Sequence, residues 1–210
     1  AVRKRMGLPG VRTWRELHGI PSIGFEHQPR NKQSICNSRS FSSEIYDRKK
    51  LMEQVAKFAA MTAEKLREQH SLCSQLTVFA ATNRFHSDDL QQYGNITIPF
   101  AEPTDSTLHL VRVAREAVDE MFVSGCGYKR AGVIASGISE RQGVAHSMFN
   151  SEEQVQHKRL MQAVDTINKR CGENRLVIAS QGLSGVHSTS DHRSPRYTTR
   201  WDEIPVAKIK

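Results

Sequence analysis

No apolar run in this chain approaches the ~20 residues that a membrane helix requires. The start shows no charged segment leading into an apolar stretch, so no secretory signal is read there. It opens instead at Ala1 on a basic, helix-like segment, which is expected of a piece that begins inside a longer protein. Cysteine is scarce: Cys36, Cys73, Cys126 and Cys171 stand far apart, inside apolar segments, with no C-x-x-C pair. Disulfide frameworks belong to small secreted domains with clustered cysteines, so four reduced thiols in a cytoplasmic protein are expected. The composition, 38% hydrophobic and 25% charged over 210 residues, is polar but not that of a disordered chain. It allows one medium domain with small appendages.

Catalytic signatures are missing as well. The glycines of Gly125–Gly127 follow a helical pattern and open a strand, the reverse of a phosphate-cradling loop, so they are expected to end the helix. The run Ser180–Gly185 does not meet the G-x-S-x-G spacing of a nucleophile turn and is expected to be a loop. His86, His187 and His192 lie near Asp88, Asp89 and Asp191, but not at helical ligand spacing, so no metal site is expected. Two-metal phosphoryl transfer needs acids at strand ends facing one pocket. None of the four strands expected below carries one, so no catalytic residue is assigned.

What is present is basic charge at both ends. Residues 1–50 carry a net +7, residues 51–150 a net −2 and residues 151–210 a net +3. A polyanion partner would use such a split, and so would general solubility. Residues 8–18 predict a short helix stopped by Gly19, and residues 19–32 a linker. Residues 33–41 predict a strand. Residues 48–70 predict a helix with Leu51, Val55, Phe58, Thr62 and Leu66 inward. Strands follow at 74–82, with Leu76, Val78 and Ala80 on one face, and at 94–100, where Pro99 marks an end or an edge. A helix capped by Asp105 or Ser106 runs to about Ser124 on the stripe Leu108, Val111, Arg115, Val118 and Phe122. Residues 129–136 give a fourth strand. The fold class is therefore α+β, a β-α-β-β-α-β unit with a four-stranded sheet and two helices on one face. A small α/β C-terminal appendage follows: a loop over 137–151, a helix over 152–170 with Leu160, Val164 and Ile167 inward, and a strand over 175–180.

The second sheet face is left without helices. Ser34, Asn37, Ser38, Arg39 and Ser40 on the first strand, with Lys32 before it, are phosphate-contacting types. Lys129 and Arg130 open the fourth strand, and Asn83 and Arg84 end the second. These residues could line the free face and track phosphates, or they could merely solvate it. The paired aromatics of a base-stacking RNA module are not seen in the pattern. Met148 and Phe149 form an apolar pair in a polar stretch, either a docking peptide or a pair tucked back onto the domain; spacing favours the second.

KQSICNSRSF at Lys32–Phe41, AAMTAEKLREQH in the long helix and GYKRAGVIASGI at the fourth strand together resemble the little-finger domain of Y-family translesion DNA polymerases. The similarity is greatest to the UmuC-type catalytic subunit of DNA polymerase V, whose short C-terminal domain SPRYTTRWDEIPVAK also resembles. GVRTWRELHGIPS looks like the end of the thumb and the tether. The resemblance implies an end of thumb and tether over 1–30, a little finger over 31–136, a linker over 137–151 and a C-terminal domain over 152–210. It implies a grip on damaged duplex or template-primer DNA, for which Lys32, Ser38, Arg39, Ser40, Arg84, Lys129 and Arg130 are the candidates by residue type. Catalytic acids and magnesium would lie in a palm upstream. Further implied partners are the sliding clamp, a UmuD-type accessory dimer and RecA. Clamp peptides of this family resemble Q-L-x-L-F; Ala145, His146, Ser147, Met148 and Phe149 keep the apolar end but replace the glutamine and first leucine. Ser42 stands where the family's block has glycine, so a left-handed turn there would carry a cost. Two other readings remain: a free-standing nucleic-acid-binding regulator, and a small enzyme.

Overall fold

The computed structural model describes residues 2–24, 31–85, 90–141, 151–172, 175–182 and 194–204, with the side chains of 151–155 left aside. The chain forms two compact units, Ala1–Lys32 and Gln33–Lys210. In the first, α1 (Val2–Leu17) is broken at Gly7, whose φ of 65° departs from helix. Gly19 at φ 75° stops the helix, as glycine can without a Cβ clash.

The second unit holds β1 (Ile35–Ile45), α2 (Arg48–Glu68), β2 (Ser71–Thr82), β3 (Tyr93–Thr104), α3 (Thr107–Met121), β4 (Tyr128–Glu140) and α4 (Ser151–Cys171). One antiparallel sheet takes the order β1-β4-β2-β3. Each β-α-β pair, β1-α2-β2 and β3-α3-β4, therefore leaves a gap that a strand of the other pair fills. The α+β class and the unit order agree with expectation.

The α2 stripe lies where its period puts it: Leu51, Val55, Phe58, Thr62 and Leu66 are all buried. Asp47 caps that helix, its carboxylate accepting from the amides of Lys49 at 2.7 Å and Lys50 at 3.3 Å. In α3 the buried side is broader than the expected stripe. Leu110, Val113, Ala114, Ala117 and Met121 join Val111 and Val118, while Arg115 faces solvent. Ser106 occupies the N-cap without a side-chain capping bond; the Thr104 hydroxyl accepts its amide instead, at 3.1 Å. α3 ends at Met121, and Gly125 (φ 85°) makes the following turn. Tyr128 is fully buried, and its hydroxyl accepts from the Val123 amide at 2.9 Å. Burial of such aliphatic and aromatic side chains contributes about 1.5–3 kcal/mol each.

Several boundaries move. β4 continues to Glu140, four residues into the expected loop. β3 continues beyond Pro99 to Thr104, and as the outermost strand it tolerates the missing amide there. The longer strands carry Glu44, Glu102 and Glu140, so they are not acid-free as expected. Residues 175–180 form no strand; a 3-10 turn spans Ala179–Gln181. Among the described side chains of α4 the buried one is Met161, whereas Leu160 and Ile167 are exposed. Among the described residues no helix is long and apolar enough to cross a membrane.

Candidate nucleic-acid interface

The register fixes which side chains share the helix-free face. Opposed pairs point to the same side of an antiparallel sheet. Leu76, Val78, Ala80, Ala131, Val133 and Ala135 are buried under the helices. The opposite face therefore presents Ser38 and Ser40 from β1, and Arg130, Gly132, Ile134 and Ser136 from β4. β2 adds Gln75, Thr77, Phe79 and Ala81, and β3 adds Tyr93, Asn95, Thr97 and Pro99. No carboxylate stands in this set. Tyr93, Asn95, Thr97, Ser40 and Arg130 are exposed, so the described C-terminal residues leave the face open.

Arg130 is held over the face. Its guanidinium lies 5.8 Å from the centroid of Phe79, and its Nη2 donates to Ser38 Oγ at 3.4 Å. Gly132 makes this possible: a Cβ there would stand 2.8 Å from Phe79 Cζ and from the Asn37 carbonyl oxygen. Thr77 and Thr97 share a hydroxyl bond of 2.8 Å, and Gln75 Nε2 donates to Ser136 Oγ at 2.8 Å. The result is a hydroxyl- and amide-rich surface around one flat cation, a set of groups suited to phosphate oxygens.

The other expected residues lie elsewhere. Arg39 is opposite Ala131, so it is exposed at the sheet edge on the helix side and does not join Arg130 on the free face. Asn37 is buried; its side chain donates to Thr62 Oγ1 at 2.6 Å and accepts from Lys65 Nζ at 2.5 Å. Lys129 is the extra residue where Arg130 pairs Ala81 and Tyr128 pairs Thr82, and its Nζ donates to the Ser42 carbonyl at 2.9 Å. That bond spans the irregular part of β1 between Ser40 and Ile45. Ser42 lies within β1, and among the described residues the positive-φ residue other than glycine is His70 at 53°, so the expected strain at Ser42 does not arise. Arg84 is exposed in the turn after β2, and Lys32 is exposed in the first unit, just ahead of β1.

Phe79 and Tyr93 put two aromatic side chains on a face expected to lack the paired aromatics of a base-stacking module. Phe79 was implied once Val78 and Ala80 were placed inward; Tyr93 fell one residue before the expected strand. Ala145, His146, Ser147, Met148 and Phe149 lie outside the described residues, as do His86, His187 and His192. Among the described residues no three His, Cys, Asp or Glu side chains group as metal ligands. Cys36 and Cys171 are exposed, and burial pushes the Cys73 thiol up to about 12.

Residues 32–148 match the model of the impB/mucB/samB family C-terminal domain, and residues 158–207 match a Domain of unknown function (DUF4113). Protein MucB of Salmonella typhimurium is 31% identical over 210 residues, which is all of this chain and 50% of the relative. Protein UmuC of Salmonella typhimurium is 31% identical over 207 residues, covering 97% of this chain and 49% of the relative. The chain thus spans about half the length of the curated relatives it matches. Among solved structures, the "Insertion ternary complex of Dbh DNA polymerase" aligns at TM-score 0.42 and 14% identity, over 66% of this chain and 38% of that one. The "Complex of beta-clamp processivity factor and little finger domain of PolIV" aligns at TM-score 0.39 and 13% identity, over 55% and 98%. With more than half its length under the first family model, this chain belongs to the impB/mucB/samB family through that family's C-terminal domain.

Proposed function

We propose that this chain is the DNA-gripping, non-catalytic part of a Y-family translesion polymerase that acts in SOS damage tolerance. The observation that carries this reading, beside family membership, is the carboxylate-free central patch of the sheet face with Arg130 laid over Phe79 and Ser38. Its groups address phosphates rather than base edges, so the grip holds duplex template-primer DNA without reading its sequence. Ser38, Ser40 and Arg130 form the centre of that grip, with Arg84 and Lys129 beside it. Residues 145–149 form a weak tether to the sliding clamp, and a UmuD-type dimer and RecA are further partners. The parent's magnesium and catalytic acids lie in a palm outside this chain, which works in the cytoplasm.

Arg130→Ala should weaken duplex binding similarly on unrelated sequences and lower the salt slope by about 1, in fluorescence anisotropy across a salt series. Unchanged affinity would overturn the assignment of this face. The second reading, a free-standing RNA- or DNA-binding regulator, draws on Phe79 and Tyr93, since aromatics on an open sheet can stack on unpaired bases. Tighter binding to single-stranded RNA than to duplex DNA would favour it.

A further inference from the structure

Asp165, in the second half of α4, meets Arg67 in the last turn of α2. The carboxylate accepts from Arg67 Nε at 2.6 Å and from Nη2 at 2.8 Å, with both side chains largely out of solvent. The remaining Arg67 nitrogen, Nη1, donates to the Asp105 carbonyl and to Thr107 Oγ1, each at 2.9 Å, at the start of α3. Arg67 thereby joins α2, α3 and α4 through one planar group, a geometry that lysine could not reproduce. Asp105 itself pairs with Arg141 beyond the end of β4.

Three residues after Asp165 comes a second fastening. Asn168 Nδ2 donates to the Leu176 carbonyl at 2.9 Å, and Asn168 Oδ1 accepts the Leu176 amide at 2.8 Å. Gly172, at φ 107°, lets the chain reverse between them. The reversed segment then lies on α2 and α3. Ile178 packs against the core cluster, Gln181 is buried, and Ser180 Oγ accepts from Arg115 Nη1 at 3.4 Å. Gly182, at φ 63°, sits so close to Glu53 that an added Cβ would stand 3.0 Å from its Cγ. Between this segment and the helices runs a groove of about 280 Å³ whose lining mixes Met52, Leu108, Val111 and Ile178 with charged and polar side chains such as Arg115 and Glu116.

We propose that residues 151–172 and 175–182 form one intramolecular clip, anchored at Asp165, fastened at Asn168 and seated at Ile178–Gly182, which occupies the outer surface of the α2–α3 layer. The occupant of that mixed apolar and charged surface is this chain's own segment, and a partner that needs the surface has to displace it. The clip spans the start of the region that matches the model of unknown function, so part of that region is a brace on the preceding domain. The inference is independent of the DNA-binding reading.

Hydrogen exchange on the full chain tests it. Asp165→Asn should speed exchange about tenfold in α4 and also at 176–182, while β2 and β4 keep their protection. Gly182→Ala attacks the same unit from its other end, outside the ion network, and should loosen α4 as well. A response confined to the substituted end in either variant overturns the clip, because the two contacts are then independent. Acceleration that includes β2 and β4 equally overturns it too, because the segment is then part of the global unfolding unit.

Discussion

His109 packs edge-on against Phe100, with ring centroids 5.0 Å apart, and its Nδ1 lies 3.1 Å from Arg112 Nη2. Burial first, and then the Arg112 and His157 charges, hold its pKa below the ordinary 6.5; Glu116 works the other way. The unfolded chain therefore binds a proton more readily than the folded one. The stability this histidine contributes is present above pH 6.5 and is lost as pH falls through its lowered folded value. His109→Asn should flatten the loss of thermal stability on acidification below that point; melting curves of both proteins across a pH series would show it, and parallel curves would refute it. At the same scale lies the clearest difference between pattern and structure. Residue type alone grouped Arg39 with Arg130, but strand parity sends them to opposite sides. Asn37, Arg39 and Phe41 share one side and Ser38 and Ser40 the other, an alternation that polar residues on an edge strand do not reveal.

The elements with strong apolar periodicity were legible and those held by pairing were not. α2 could be read residue by residue, because its stripe follows the 3.6 period over 21 residues. β4 outran its apolar segment because the ladder continues through Gly137–Glu140 against Ser71–Cys73, where small polar residues carry no signal. The run at 175–180 has strand composition, yet it lies on the helix layer, where no sheet edge offers a ladder. The β1–β4–β2 crossing depends on Gly132, whose absent Cβ leaves room for Ser38 and for the Phe79 ring. Gly132→Val should destabilise the fold by about 1–3 kcal/mol through overpacking. It should also weaken duplex binding by lifting Phe79 from beneath Arg130. Urea denaturation measures the first effect and anisotropy the second. A variant with wild-type stability and affinity would show that the slot is not needed.

On the scale of the whole molecule, the proposed function joins two weak attachments. The sheet face offers one centrally held cation and a field of hydroxyls, suited to a modest, salt-sensitive grip on duplex DNA. The peptide Ala145–Phe149 keeps an apolar end but lacks the glutamine and first leucine of the pattern it resembles. On that proposal, neither contact alone would hold this chain on template-primer DNA for long. Joined in one chain, each raises the local concentration of the other's partner, and the combined affinity exceeds either by orders of magnitude. Deleting residues 145–149 should therefore leave Kd for naked duplex unchanged and abolish the gain in affinity seen when a sliding clamp is loaded on the same DNA. Met148→Ala with Phe149→Ala should reproduce the deletion if, as proposed, the two apolar side chains supply the anchor. Arg130→Ala should weaken binding to both substrates by the same factor. If the clamp-dependent gain survives the deletion, the tether lies elsewhere in the chain; if the deletion also weakens naked-duplex binding, the peptide belongs to the DNA grip.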